Sequence, residues 1–155
     1  MKLDLKEWIA KVTGQTEFKT LLWTNPSPTS AMGAVTLVPS GADVYDDIEV
    51  IYKTAHIYNG YWTSRGPFSA GTYITMSATA GTGGEFSGAI YAGVRTISMF
   101  AGGKLQADGA IGMSSSGTVS NNNMCIPVKI YGIRYVGGVV RRLFNSFTLG
   151  RGWAV

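Results

Sequence analysis

The chain is poor in the residues from which enzymatic sites are built, with one cysteine and one histidine in 155 residues. Cys125 cannot close an intrachain disulfide and reads as a buried free thiol, which behaves as a small hydrophobe. A single Cys and a single His do not make a zinc site. Any Ser-His-Asp or Cys-His relay would have to run through His56, and its neighbours Tyr58, Asn59 and Tyr61 bring no carboxylate to orient it. Charge is scarce too, at 14% of residues with a formal balance of +4. The densest basic positions, Arg141 and Arg142 with Arg134 and Arg151, form no stripe, and helix-turn-helix and RNA-recognition signatures are missing, which argues against a nucleic-acid partner. No apolar run reaches the ~18 residues of a membrane helix, so membrane insertion by a helix is not expected. Lys2, Asp4, Lys6 and Glu7 interrupt the apolar segment that a signal peptide requires. The expected product is made in a cytoplasm and reaches the outside by lysis or as part of a particle.

The remaining chemical motifs are incomplete. Gly102-Gly103-Lys104-Leu105 lacks the Ser or Thr that binds magnesium in a phosphate loop, and residues 81–86 lack the last glycine of the dinucleotide fingerprint. The carboxylates cluster at Asp43, Asp46, Asp47 and Glu49, with a spacing that matches no EF-hand loop. Asp47 and Glu49 fall on one strand face and read as its solvated side. Asp46 points the other way, where a buried carboxylate would need a partner such as an Arg. No cofactor and no metal are expected.

What the chain has in quantity is glycine, 21 residues, together with 12% aromatics and many Thr and Ser, a composition that favours strands and turns. Its length suits one domain with a proper core. Met1 to Gly14 reads as a short amphipathic helix: Asp4 and Glu7 form a capping box, Leu3 and Trp8 a hydrophobic staple, and Gly14 a left-handed stop. Leu5, Trp8, Ile9 and Val12 form its apolar stripe. So short a helix must dock on its own domain or bundle with copies of itself.

Residues 15–155 read as a single β domain. Strands are expected over Phe18–Trp23, Ala31–Val38, Tyr45–Thr54, Thr72–Ala78, Phe86–Phe100 and Val139–Leu149, with turns at Asn25–Pro28, Asn59-Gly60, Gly102-Gly103 and Asp108-Gly109. In the third of these, Ile48, Val50 and Tyr52 face one way and Asp47, Glu49 and Lys53 the other. The chain centres on Asn121–Tyr135, a polar turn followed by Ile126, Val128 and Ile130 in alternation. Pro127 should open that strand or line an unpaired edge, and Gly132 should mark a bulge. About eight to ten short strands with frequent turns imply an all-β fold, a β-sandwich.

Three stretches carry a family resemblance. Leu22-Trp23-Thr24-Asn25-Pro26-Ser27-Pro28-Thr29-Ser30, then Tyr45-Asp46 leading into Ile48–Tyr52, then Ile126-Pro127-Val128-Lys129-Ile130-Tyr131-Gly132-Ile133 resemble, in that order, a β domain of bacteriophage and prophage tail-fibre and minor structural proteins. The resemblance implies a jelly-roll-like sandwich, a structural and non-catalytic role on the virion surface, and other phage structural proteins as partners. It also implies a homotrimer, because such fibres and spikes are built on three-fold symmetry. With only the short helix ahead of the β domain, the chain is expected to cap another protein or to sit directly on the particle.

The function expected is that of a receptor-binding tip or fibre head contacting a host cell-surface glycan. The candidate contact residues are His56, Tyr58, Tyr61, Trp62 and Arg65, where flat rings crowd one hairpin beside polar groups. The plainer reading of the same rings is that they fill the sandwich core or a subunit interface. Two other functions fit the sequence: a decoration or assembly protein that binds no glycan, and a tail-associated polysaccharide-degrading enzyme using Asp47 and Glu49 as its paired carboxylates.

Overall fold

The computed structural model describes Leu5 and residues 17–54, 61–79, 90–114, 117–120 and 122–135. Two compact units divide the chain: Lys19–Ile133, and the termini Met1–Phe18 with Arg134–Val155. Of the terminal unit, the described parts are Leu5, helical and exposed, and the outer ends of two strands. The helix expected over Met1–Gly14 otherwise lies outside the described residues, as does the strand expected over Val139–Leu149.

The main unit is all-β. In chain order its strands are β1 (Glu17–Thr24), β2 (Val35–Val38), β3 (Asp47–Lys53), β4 (Trp62–Pro67), β5 (Tyr73–Thr79), β6 (Ile90–Phe100), β7 (Lys104–Ala107), β8 (Ile111–Ser114), β9 (Gly117–Ser120) and β10 (Ile126–Tyr135). One sheet has the order β1-β10-β3-β4 and the other β2-β7-β6-β8-β9, with β5 on the free flank of β6. Every pairing with a traced register is antiparallel. The last strand among the described residues, β10, lies between β1 and β3 and is central to its sheet.

Period-two patterning builds the core. Ile48, Val50 and Tyr52 of β3, Ile74, Met76 and Ala78 of β5, Ile97 and Met99 of β6, and Leu105 and Ala107 of β7 are all buried in one cluster. Both sheets therefore contribute one face to a shared interior, a β-sandwich-like arrangement. Tyr52 spans it: its hydroxyl donates to the Ser77 carbonyl at 2.8 Å and accepts from the Ser77 amide at 3.3 Å.

The same alternation turns Arg95 inward, between Gly93 and Ile97 on β6, where it is 1% exposed. Among the described residues no carboxylate is hydrogen-bonded to its guanidinium. Instead it donates to five main-chain carbonyls: Met32 (2.6 Å), Gly33 (3.4 Å), Asp108 (2.8 Å), Asn122 (3.2 Å) and Met124 (3.3 Å). Those carbonyls lie ahead of β2, in the break between β7 and β8, and in the turn entering β10. Burial lowers the guanidinium's pKa, an effect opposed by the nearby Asp108 carboxylate. A buried charge costs several kcal/mol unless it is hydrogen-bonded, and here the main chain supplies the bonds. Met124 packs beside it so closely that a Cβ on Gly93 would sit 2.2 Å from its terminal methyl.

The three stretches that carry the family resemblance meet in this unit. β10 changes register against β3 between Pro127 and Lys129. The bulge thus lies at Val128, not at Gly132, whose pairing with Ile48 is regular. Pro127 is at the start of the strand, as expected, but in the middle of the sheet and buried. Asn25 takes up the two carbonyls at the irregularity: its side-chain amide donates to Pro127 O at 2.8 Å and its backbone N–H to Val128 O at 2.9 Å. The Asn25 side-chain oxygen accepts the Ser27 N–H at 2.8 Å, which shapes the turn before Pro28. Gly132 is needed for a different reason. The Tyr45 ring lies flat against it, and a Cβ there would come within 2.4 Å of the ring.

Two measurements test these contacts. Arg95→Leu leaves five carbonyls without their donor and should lower the unfolding free energy by about 3–5 kcal/mol in urea denaturation. A loss below about 1 kcal/mol would show that the interior does not depend on it. Gly132→Ala should cost about 2 kcal/mol by overpacking. That cost should shrink in a Tyr45→Ala background, and additive costs in the double-mutant cycle would disprove the ring–glycine contact.

Candidate functional site

Of the residues singled out for ligand contact, His56 and Tyr58 lie outside the described residues. The other three sit at the start of β4, and that strand divides them. Trp62 faces inward: its ring stacks on Tyr52, with centroids 6.2 Å apart and planes at 23°, and it packs against the core. Arg65, three positions on, falls on the outer face. Tyr61 precedes the strand and is 61% exposed. A strand sends residues separated by an odd number to opposite faces, so Trp62 and Arg65 cannot line one site. Among the described residues of this hairpin Tyr61 is the open ring; Trp62 belongs to the interior.

Arg65 is engaged on its own sheet. Its Nε donates to Asp47 at 3.0 Å and its Nη1 lies 3.9 Å from Glu49. Lys19 of β1 reaches the same Glu49 with its ammonium 2.9 Å from both carboxylate oxygens. The carboxylates expected on a wet face are therefore tied down. Glu49 is only 8% exposed, because Arg65 and Tyr131 flank it in register on the two neighbouring strands. Asp46, expected to be the buried carboxylate, is exposed; the irregular backbone before β3 turns it outward, while its carbonyl accepts the Phe68 N–H. A pair of carboxylates for bond cleavage needs one group to hold a proton and one to be free to act. Asp47 and Glu49 instead lie side by side under two cations.

Cys125 is buried, with its Sγ 3.4 Å from Gly93 O, and burial pushes its pKa up to about 11 despite the opposing pull of Arg95. A thiol held protonated at neutral pH is no nucleophile. Among the described residues no group of three or more His, Cys, Asp or Glu is placed to hold a metal ion, and no helix is long and apolar enough to cross a membrane.

A polar constellation that sequence reasoning missed lies on the outer face of the second sheet. Asp108 accepts the Thr96 hydroxyl at 2.6 Å and the Ser98 hydroxyl at 2.7 Å, both on Oδ2. The available signal was the alternation of Thr96 and Ser98 with the buried Arg95, Ile97 and Met99. Next to Asp108 is a shallow depression of about 290 Å³ lined by Gly109, Ala110, Ile111, Thr118 and Ser120.

Compared with protein-family models and with curated proteins, the sequence finds no match.

The division of the hairpin has a measurable consequence. Trp62→Ala should cost about 2 kcal/mol of stability, and Tyr61→Ala should stay within about 0.5 kcal/mol. Equal costs, measured by thermal or urea unfolding, would contradict the assignment of one ring to the core and the other to the surface.

Proposed function

We propose that the chain is a structural protein of a bacteriophage particle, a receptor-binding tip or fibre head that contacts host surface polysaccharide without making or breaking a bond. The observation that carries this reading is the interlocking of the residues that resemble the phage domain. Asn25 of the first stretch bonds Pro127 and Val128 of the third, and Tyr45 of the second lies on Gly132 of the third. Residues that recur together for a packing reason support the resemblance better than a string of strand-like motifs does. The ion pairs that hold Asp47 and Glu49 weigh against the polysaccharide-degrading alternative.

The jelly-roll form belongs to the same proposal. In its favour, β10 returns from far along the chain to lie beside β1, as the long connection of a Greek key does. The hairpins β3–β4 and β5–β6, each kept within one sheet, are a local departure from jelly-roll wiring. A homotrimer displayed on the virion and made in the host cytoplasm completes the reading. Exposed Leu21 and Val44 are apolar surface that neighbouring copies or other phage structural proteins would cover. Several weak sites on one particle would then act together.

Light scattering across a size-exclusion peak, at two protein concentrations, tests the assembly. The expected mass is that of three chains at both concentrations. A monomer at both would overturn the trimeric tip. Retention of the protein on host cell-wall polysaccharide tests the binding role, and a protein that ignores every wall fraction would favour the decoration or assembly role.

A further inference from the structure

The outer face of the second sheet is built around a displaced residue. From Ile97 to Val94 on β6 the chain moves three positions, while the paired residues on the other strand, Ala107 and Ile111, are four apart. The extra residue falls in the break between β7 and β8, where Asp108 folds back over β6. Its N–H donates to Thr96 O at 3.0 Å and its carbonyl accepts Arg95 Nη1 at 2.8 Å. The backbone of Asp108 is thus held from the interior while its carboxylate lies on the opposite face, against Thr96 and Ser98.

Both hydroxyls direct their protons to Oδ2. Their remaining lone pairs can accept further hydrogen bonds, and among the described residues no donor is bonded to Oδ1. Register places Tyr73 beside Ser98 on this face, and Tyr73 is 64% exposed. Phe100, further along β6, is 40% exposed but has the Lys104 ammonium 4.6 Å from its ring centre. Tyr73 is the more open ring of the two. Beyond the carboxylate, the depression beside Ile111 extends the same surface toward β9.

We propose that this face is a glycan-binding site that takes a neutral pyranose. Sugar hydroxyls donate to the fixed carboxylate of Asp108 and to the lone pairs of Thr96 and Ser98, and the apolar face of a ring packs on Tyr73. Asp108 sets the charge preference, since an acidic sugar would bring a second negative charge to an anion already in place. The inference rests on the proposed binding of host polysaccharide, and it moves the contact from the β3–β4 hairpin to the other sheet.

The test is a titration of the intact protein with the methyl glycosides of glucose, galactose, rhamnose and N-acetylglucosamine, followed by amide NMR. At least one neutral glycoside should shift the amides of Tyr73, Thr96, Ser98 and Asp108–Ile111, and methyl glucuronide should not. Tyr73→Ala, a surface change that leaves the core intact, should weaken that binding about tenfold, and Asp108→Ala should weaken it at least as much. Shifts confined to the neighbourhood of Tyr61, or binding unchanged by Tyr73→Ala, would overturn this site and leave the glycan-binding function standing. No shift anywhere with any of these glycosides would overturn both.

Discussion

A guanidinium sealed in a sandwich interior and hydrogen-bonded to main-chain carbonyls is the constraint on which the rest of this domain depends. Arg95 offers five N–H donors in a rigid plane, and each must find an acceptor or leave a costly vacancy. The chain answers with carbonyls from three separated places: Met32 and Gly33, Asp108, and Asn122 with Met124. None of these carbonyls lies within a strand. The approach to β2, the break between β7 and β8 and the turn into β10 have irregular backbone, whose groups a sheet ladder would otherwise have satisfied. Arg95 and these segments solve each other's problem.

A second group of contacts fixes the first sheet. β10 carries a proline and a bulge in the middle of a sheet, a placement that normally leaves backbone groups unsatisfied. Asn25 supplies the missing donors from the end of β1, and Tyr45 fills the space that Gly132 leaves open. On the outside of the same sheet, Lys19, Glu49, Arg65 and Asp47 draw β1, β3 and β4 together across β10. Glu49 is the one member of that group that is buried, so its pairs act in a lower dielectric than an ordinary surface bridge.

Strand existence was legible wherever one face is wet and the other dry. Ile48, Val50 and Tyr52 alternate cleanly and are the buried face of β3; the strands expected near Phe18 and Thr72 exist with ends shifted by one residue, and β6 is the described part of the one expected over Phe86–Phe100. β2 is half the length expected from Ala31–Val38, because Met32 and Gly33 give their carbonyls to Arg95 instead of to a ladder. The burial of Glu49 was illegible: its cations come from Lys19, 30 residues away, and from a neighbouring strand. Arg95 was hidden by its residue type, since a charged side chain in an alternating strand is ordinarily assigned to the outside; the spacing from Ile97 and Met99 was the contrary sign. The aromatic hairpin was legible as a cluster, but composition could not say that an odd spacing sends Trp62 and Arg65 to opposite faces. The Asp108 constellation was beyond sequence reasoning, because it depends on one extra residue between β7 and β8.

Because the acceptors around Arg95 are main-chain atoms, every residue type other than the arginine itself can supply them. Met32, Asn122 and Asp108 could each be exchanged over generations with their carbonyls still in place, provided the backbone keeps its path. Such an architecture can be inherited with a single fixed letter at its centre while the surrounding text is rewritten. Outward-facing positions on β5, β6 and β8 are then free to diversify, because little of what holds the domain together is spelled in their side chains.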